Sequence, residues 1–280
     1  MTWTGAYHSD NKYEGEWKND MKHGHGVITI KKKWFYKPEH YHLPKGIIKE
    51  FYEWKYDGEW KNDMKHGHGV ETWGNGEKYD GEWEIGLYNG RGVKIYANGN
   101  KYEGEFRDGK RHGHGVETWK NNVQKYEGGW KSDKMHGEGF YTWADDQKYE
   151  AKFIEGKRYG KGVYMYKNGD KYDGYWSRGY KCGRGVMTYS NGDKYDGEWN
   201  NNGKRHGYGT MMTIGDGITL CCKWNSDHIC DYPHDGHILY PNGDKYSGKI
   251  HRLEGLIVFG KMNYNNGEKY EGQWKNHKFS

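Results

Sequence analysis

The sequence predicts an all-β protein: an elongated, single-layer antiparallel β-meander of about ten 23-residue β-hairpin repeats. Three observations predict it. A Lys-Tyr-x-Gly-x-Trp stretch or a close variant recurs, with its tyrosine at Tyr13, Tyr56, Tyr79, Tyr102, Tyr126, Tyr149, Tyr172, Tyr195, Tyr246 and Tyr270, and most steps are 23 or 24 residues. Asn-Gly pairs punctuate the same period. No stretch shows a 3.6-residue apolar rhythm.

Each element of the repeat follows from its residues. In the first strand, period-2 geometry puts Tyr79, Gly81 and Trp83 on one face and Lys78, Asp80 and Glu82 on the other. Glycine weakens a strand unless it makes room. Here it sits between two aromatics, so a ring is expected to lie over the bare backbone. Next comes an x-Gly-x-Gly segment, read as a turn: HGHG at 23–26, 66–69 and 112–115, NGRG at 89–92, YGKG at 159–162 and CGRG at 182–185. A second strand follows, as in Val70–Trp73 or Val186–Tyr189. It runs into GNGE (74–77), KNGD (167–170) or SNGD (190–193), read as tight hairpin turns with φ > 0 at both central residues. At about 4.8 Å per strand, ten units span on the order of 100 Å, with contacts only between neighbours.

The whole chain, 1–280, reads as one array with two irregularities. An extended hairpin is inserted at about 28–55, its tip KPEHYHLPK. A degenerate repeat lies at about 215–237, where TLCCKW replaces KYDGEW. Three cysteines there, Cys221, Cys222 and Cys230, stand near His228, His234 and His237, but their spacing matches no ordinary zinc framework.

Composition narrows the classes further. Apolar residues are only 33%, and the aromatic 17% carries over half of that, so packing must rest on rings and glycine rather than aliphatic core. No run of 18 apolar residues exists and the N-terminus has no signal pattern, which gives a cytoplasmic expectation, peripheral to membrane or cytoskeleton. The HGHG histidines vary between copies to Asn, Tyr, Arg and Lys while both glycines persist, so the glycines carry geometry and no metal or cofactor is expected. No GxxxxGK[ST], GxSxG or HExxH motif occurs, so no catalytic residue is assigned and no enzyme activity is expected.

YxGxW followed by GxGxxxxxNGxxY resembles the MORN repeat over nearly the whole chain. The resemblance implies a grooved single-layer sheet, a role in scaffolding, membrane apposition or cytoskeletal assembly, and in some members phospholipid headgroup binding. Several members of that family carry a separate catalytic domain, and the repeats leave no segment of these 280 residues over for one. The expected function is therefore a non-catalytic scaffold or tether. Two alternatives stand beside it: a peripheral module for anionic phospholipid, and an accessory subunit of an enzyme whose catalytic part is elsewhere.

Two candidate surfaces emerge. The first is a basic edge for an acidic partner or anionic lipid: Lys22, His23, His25, Lys65, His66, His68, Lys110, Arg111, His112, His114, Lys134, His136, Lys157 and Arg158. The second is a partner loop in the insertion, with Trp34, Tyr36, His40, Tyr41 and His42. The lysine before each tyrosine alternates with acids on its own face, as Lys78 does with Asp80, so that face is expected to neutralise itself. On this ground nucleic acid is not expected as a partner. Terminal repeats with open strand edges predict self-association into a homodimer.

Overall fold

The computed structural model describes residues 6–35, 48–120, 124–230, 234–250, 257–275 and 278–279. All regular structure among the described residues is antiparallel β, and the chain forms two compact units, 1–136 and 137–280.

In the first unit each strand pairs with the next in sequence: β1 (Ala6–Lys18), β2 (Met21–Phe35), β3 (Ile48–Lys61), β4 (Met64–Trp73), β5 (Lys78–Glu84), β6 (Leu87–Ile95), β7 (Lys101–Arg107), β8 (Lys110–Thr118) and β9 (Lys125–Lys131). Strand β10 (Lys134–Thr142) carries the chain past residue 136. The second unit continues with β11 (Lys148–Ile154), β12 (Lys157–Met165), β13 (Lys171–Ser177), β14 (Tyr180–Thr188), β15 (Lys194–Trp199), β16 (Arg205–Met212) and β17 (Thr219–Asn225). A broken strand, β18 (His228–Ile229) and β19 (His234–Leu239), then pairs on β17. The meander resumes with β20 (Lys245–Ile250), β21 (Ile257–Asn263), β22 (Lys269–Lys275) and the two-residue β23 (Lys278–Phe279).

In each unit the core is a ladder of rings on one face. Tyr56, Tyr79, Tyr102, Tyr126, Tyr149, Tyr172, Tyr195 and Tyr246 have no exposed surface. Each lies along its own strand over two paired glycines, except Tyr149, where Ala151 pairs with Gly162. At Gly58 an added Cβ would meet Gly69 Cα at 2.4 Å, and at Gly69 it would meet Tyr56 Oη at 2.3 Å. The ring that requires these glycines therefore belongs to the same repeat. Its hydroxyl donates to the carbonyl three residues on, Tyr56 Oη to Glu59 O at 2.9 Å and Tyr79 Oη to Glu82 O at 2.8 Å. Tyr56 meets Trp60 and the next repeat's Trp83 edge to face, at 5.0 and 5.2 Å. Such pairs contribute about 0.5–1.5 kcal/mol each beyond area burial. The indole N–H then bonds back to the preceding repeat, as Trp83 Nε1 does to Gly69 O at 3.0 Å and Trp199 Nε1 to Gly185 O at 3.0 Å.

Both turn assignments from sequence are corrected. The x-Gly-x-Gly segment is not a turn but part of the second strand. The chain reverses earlier, at Asn62-Asp63 (φ 52° and 64°), Ile85-Gly86, Asp108-Gly109 and their counterparts, which form the two-residue loops with both central φ positive. The strand then absorbs surplus residues as a bulge. Register passes from Gly58↔Gly69 directly to Glu59↔His66, and Gly67 takes φ +55°. At the Asn-Gly end only the glycine is left-handed. Gly76 N–H bonds Trp73 O at 2.9 Å, Trp73 N–H bonds Glu77 O at 2.9 Å, and Asn75 Oδ1 accepts from Glu77 N–H. That is a type I turn closed by a left-handed glycine, a three-residue loop.

Candidate interaction surfaces

The bulge decides where the predicted basic residues point. Because it inserts residues between His66 and Gly69, the side chain before each x-Gly-x-Gly segment turns onto the aromatic face. Lys22, Lys65, Arg111 and Arg158, expected on a solvated edge, instead lie over indole rings of the next repeat. Lys22 Nζ is 5.2 Å from the Trp60 centroid, Lys65 Nζ 4.3 Å from Trp83, Arg111 Cζ 4.2 Å from Trp130 and Arg158 Cζ 4.3 Å from Trp176. Lys181 over Trp199 at 4.1 Å and Arg205 over Trp224 at 4.4 Å fill the same slot. A cation over an indole face contributes about 0.5–2 kcal/mol as desolvation increases.

Carboxylates complete this layer. Lys65 is bonded to Glu71, itself buried, which also accepts from Trp54 Nε1 at 2.7 Å and Tyr88 Oη at 3.2 Å. Burial pushes the Lys65 ammonium down, against the bond and charge of Glu71 that hold it up. Arg111 binds Glu117 at 2.9 Å and Asp133, from the following hairpin loop, at 3.2 Å. Burial raises the Glu117 carboxyl, opposed by Arg111. Asp63 reaches back to Lys22 in the same way and Asp227 to Arg205, so three loop aspartates each clamp the preceding hairpin.

The histidines lie on the other face. His25, His68 and His114 are exposed, and His23, His66, His112 and His136 are half-buried. His25 Nε2 stands 3.5 Å from Asp57 and His68 Nε2 3.4 Å from Asp80. Between them run Glu16, Glu59, Glu82 and Glu105, each folded over a bulge. They accept the backbone N–H of His25 (3.1 Å), His68 (3.0 Å), Arg91 (3.0 Å) and His114 (2.9 Å). An added Cβ at Gly67 would fall 2.4 Å from the Glu59 carboxylate. These glutamates thus hold the bulges that aim the imidazoles outward. A pocket of about 680 Å³ opens on this face, with His68, Asp80, Glu82, Arg91, Glu105 and His114 around it. Among the described residues no three His, Cys, Asp or Glu side chains converge in a metal-binding arrangement.

Lys110, Lys134 and Lys157 begin second strands beside the two-residue loops and are exposed. Trp34 belongs to β2, whose pairing with β3 continues to Phe35↔Ile48. Tyr36, His40, Tyr41 and His42 lie outside the described residues. In the degenerate repeat Cys222 takes the glycine place opposite Gly209, fully buried, with its thiol pushed up to about 12 by burial. Trp224 there keeps its bond to Gly209 O at 3.2 Å.

The repeat geometry agrees with the comparison to known families. The model for the MORN repeat matches residues 13–32, 56–78, 79–101, 102–124, 126–148, 149–171, 172–194, 195–213 and 270–280. No curated protein matches the chain. The matched segments cover more than half of the 280 residues, and the chain belongs to the MORN-repeat family.

Proposed function

We propose that this protein is a non-catalytic scaffold or tether that holds protein partners through repeated weak contacts, inside the cell and peripheral to a membrane or cytoskeletal surface. The carrying observation is the periodic charged face of the first unit, where each hairpin presents the same glutamate-held bulge and outward side chain, His25, His68, Arg91 and His114 in turn. A basic side chain at a fixed strand spacing suits multivalent attachment, in which several weak contacts sum through effective concentration. MORN repeats are generally associated with protein and membrane binding, and this supports the reading. The buried ionisable groups also support it: Lys65, Glu71, Arg111 and Glu117 are paired with one another inside the ring ladder.

The test is affinity purification of partners with the intact chain and with variants altered one hairpin at a time, His25→Ala, His68→Ala, Arg91→Ala and His114→Ala. Partner retention should fall in steps as substitutions accumulate. Turnover by the purified chain alone, or loss of every partner on one substitution, would overturn the proposal.

A further inference from the structure

The charged face does not have the same character in the second unit. In the first, the lysine before each tyrosine is paired with the acid two residues on: Lys12–Glu14 at 2.6 Å, Lys55–Asp57 at 3.0 Å, Lys78–Asp80 at 3.0 Å, Lys101–Glu103 at 2.7 Å and Lys125–Glu127 at 2.8 Å. Across β11–β14 the register puts Lys148, Lys152, Lys157, Lys161, Lys171 and Arg184 on that face. All six are exposed and, among the described residues, none is in an ion pair. Within β11–β14 only Glu150 and Asp173 share the face with them, while Glu138 of β10 stands opposite Lys152 and Glu198 of β15 opposite Arg184 at its margins. The bulge glutamate is replaced by Lys152 and Tyr175, and the outward histidine by Lys161 and Arg184. The same strands expose Tyr159 (45%), Tyr175 (50%) and Tyr180 (59%), whereas the ladder tyrosines behind them are fully buried. Register places Lys161 opposite Tyr175 and Lys152 opposite Tyr159.

We propose that this face of β11–β14 binds single-stranded nucleic acid, with Lys152, Lys161 and Arg184 on the phosphates and Tyr159, Tyr175 and Tyr180 as stacking platforms for bases. Excess positive charge supplies sequence-independent attraction to a phosphate chain, and exposed rings supply base stacking that any sequence can use. Four strands place these groups across about 14 Å, enough for consecutive nucleotides. The expectation against a nucleic-acid partner rested on lysines neutralised by their own strand. Those ion pairs form in the first unit and, among the described residues, not on β11–β14, where cations also outnumber carboxylates. Each base of a polynucleotide brings its own stacking face beside a phosphate, which matches rings set among cations at every strand.

Fluorescence anisotropy of the intact chain with labelled oligo-dT and oligo-U of about 15 nucleotides tests this. Binding should saturate, and log K should fall with log salt at a slope near −2, the value for about three neutralised phosphates on a single strand. Tyr175→Ala and Tyr159→Ala should each weaken binding about 5- to 100-fold, while Tyr175→Phe retains it and reports that the fold is intact. Lys101→Ala, an exposed lysine of the first unit paired with Glu103, should leave binding unchanged. Three results would each overturn the proposal: no binding at low salt, binding indifferent to the tyrosine-to-alanine changes, or equal competition by polyglutamate or phosphatidylserine vesicles. The last two would mark the face as a general polyanion surface.

Discussion

Gly69→Ala should be among the most damaging single-methyl additions in the chain. The new Cβ would stand 2.3 Å from Tyr56 Oη, 2.5 Å from Cζ and 2.6 Å from Cε2, about 1 Å inside ordinary contact along the whole end of the ring. The strand cannot retreat, because Gly69 is paired with Gly58 on one side and Gly81 on the other. The ring must therefore lift. That breaks the 2.9 Å bond from Tyr56 Oη to Glu59 O, about 1 kcal/mol, and disturbs edge-to-face contacts with Trp60 and Trp83. Overpacking of a filled site adds about 1–3 kcal/mol, for a total of about 2–4 kcal/mol. The chain holds a natural gauge of the milder case. Ala151 occupies the other glycine position of its repeat, and there Tyr149 Oη stands 3.4 Å from Lys152 O, stretched beyond the Tyr56 bond. Gly215→Ala is the matched control, with open space around its Cβ and no positive φ, so it should be neutral or mildly stabilising. Stability in such an array is local, so native-state hydrogen exchange of β3–β5 amides is the assay. Equal protection in Gly69→Ala and wild type would refute the ring-over-glycine account.

Three further outcomes follow from the same ladder. Trp83→Phe keeps the ring but strands Gly69 O without its indole donor and weakens the seat of Lys65, so it should cost about 1–2 kcal/mol in urea unfolding. Burial, its largest cause, depresses Lys181 to about 8. Between about 8 and its ordinary value near 10.5 the unfolded chain holds one more proton than the folded one, so Lys181 makes stability rise with pH across that window. The urea midpoint of wild type relative to Lys181→Met should increase from pH 7.5 to pH 10, and a flat or falling difference would contradict the buried ammonium. Cys222, fully buried and held protonated, should alkylate in native protein far more slowly than the half-buried Cys182, as read by peptide mass spectrometry at pH 8.

The strand order, the packing face and the need for glycine were all legible, because each rests on period-2 alternation within a single strand. What alternation cannot show is an irregularity in pairing. The bulge at Gly67 exists only in the register between two strands, and it reverses which face the preceding residue meets. Lys65 and Arg111 therefore read from sequence as edge residues and sit on the rings in the structure. The loop error has a related cause. Asn-Gly is a loud signal, whereas Asn62-Asp63 and Ser132-Asp133 are quiet, although both their residues are left-handed.

A signal for the ring-seated cations was nevertheless in the sequence. Lys22, Lys65, Arg111, Arg158, Lys181 and Arg205 each precede a repeat whose ring is tryptophan: Trp60, Trp83, Trp130, Trp176, Trp199 and Trp224. Where the following repeat carries Phe106 the slot holds Tyr88, and where it carries Phe153 it holds Met135. Tryptophan offers the strongest ring face for a cation. In the phenylalanine copy of the first unit the slot stacks instead of charging, with Tyr88 3.9 Å from Tyr79 and 5.8 Å from Phe106. The partition between faces then has a consequence for function. Basic residues on the aromatic face are spent on neighbouring hairpins, so changing them should alter stability before it alters binding. On the opposite face of β11–β14, Lys152, Lys161 and Arg184 are among the exposed cations that, among the described residues, form no ion pair, so changing them should alter binding before it alters stability.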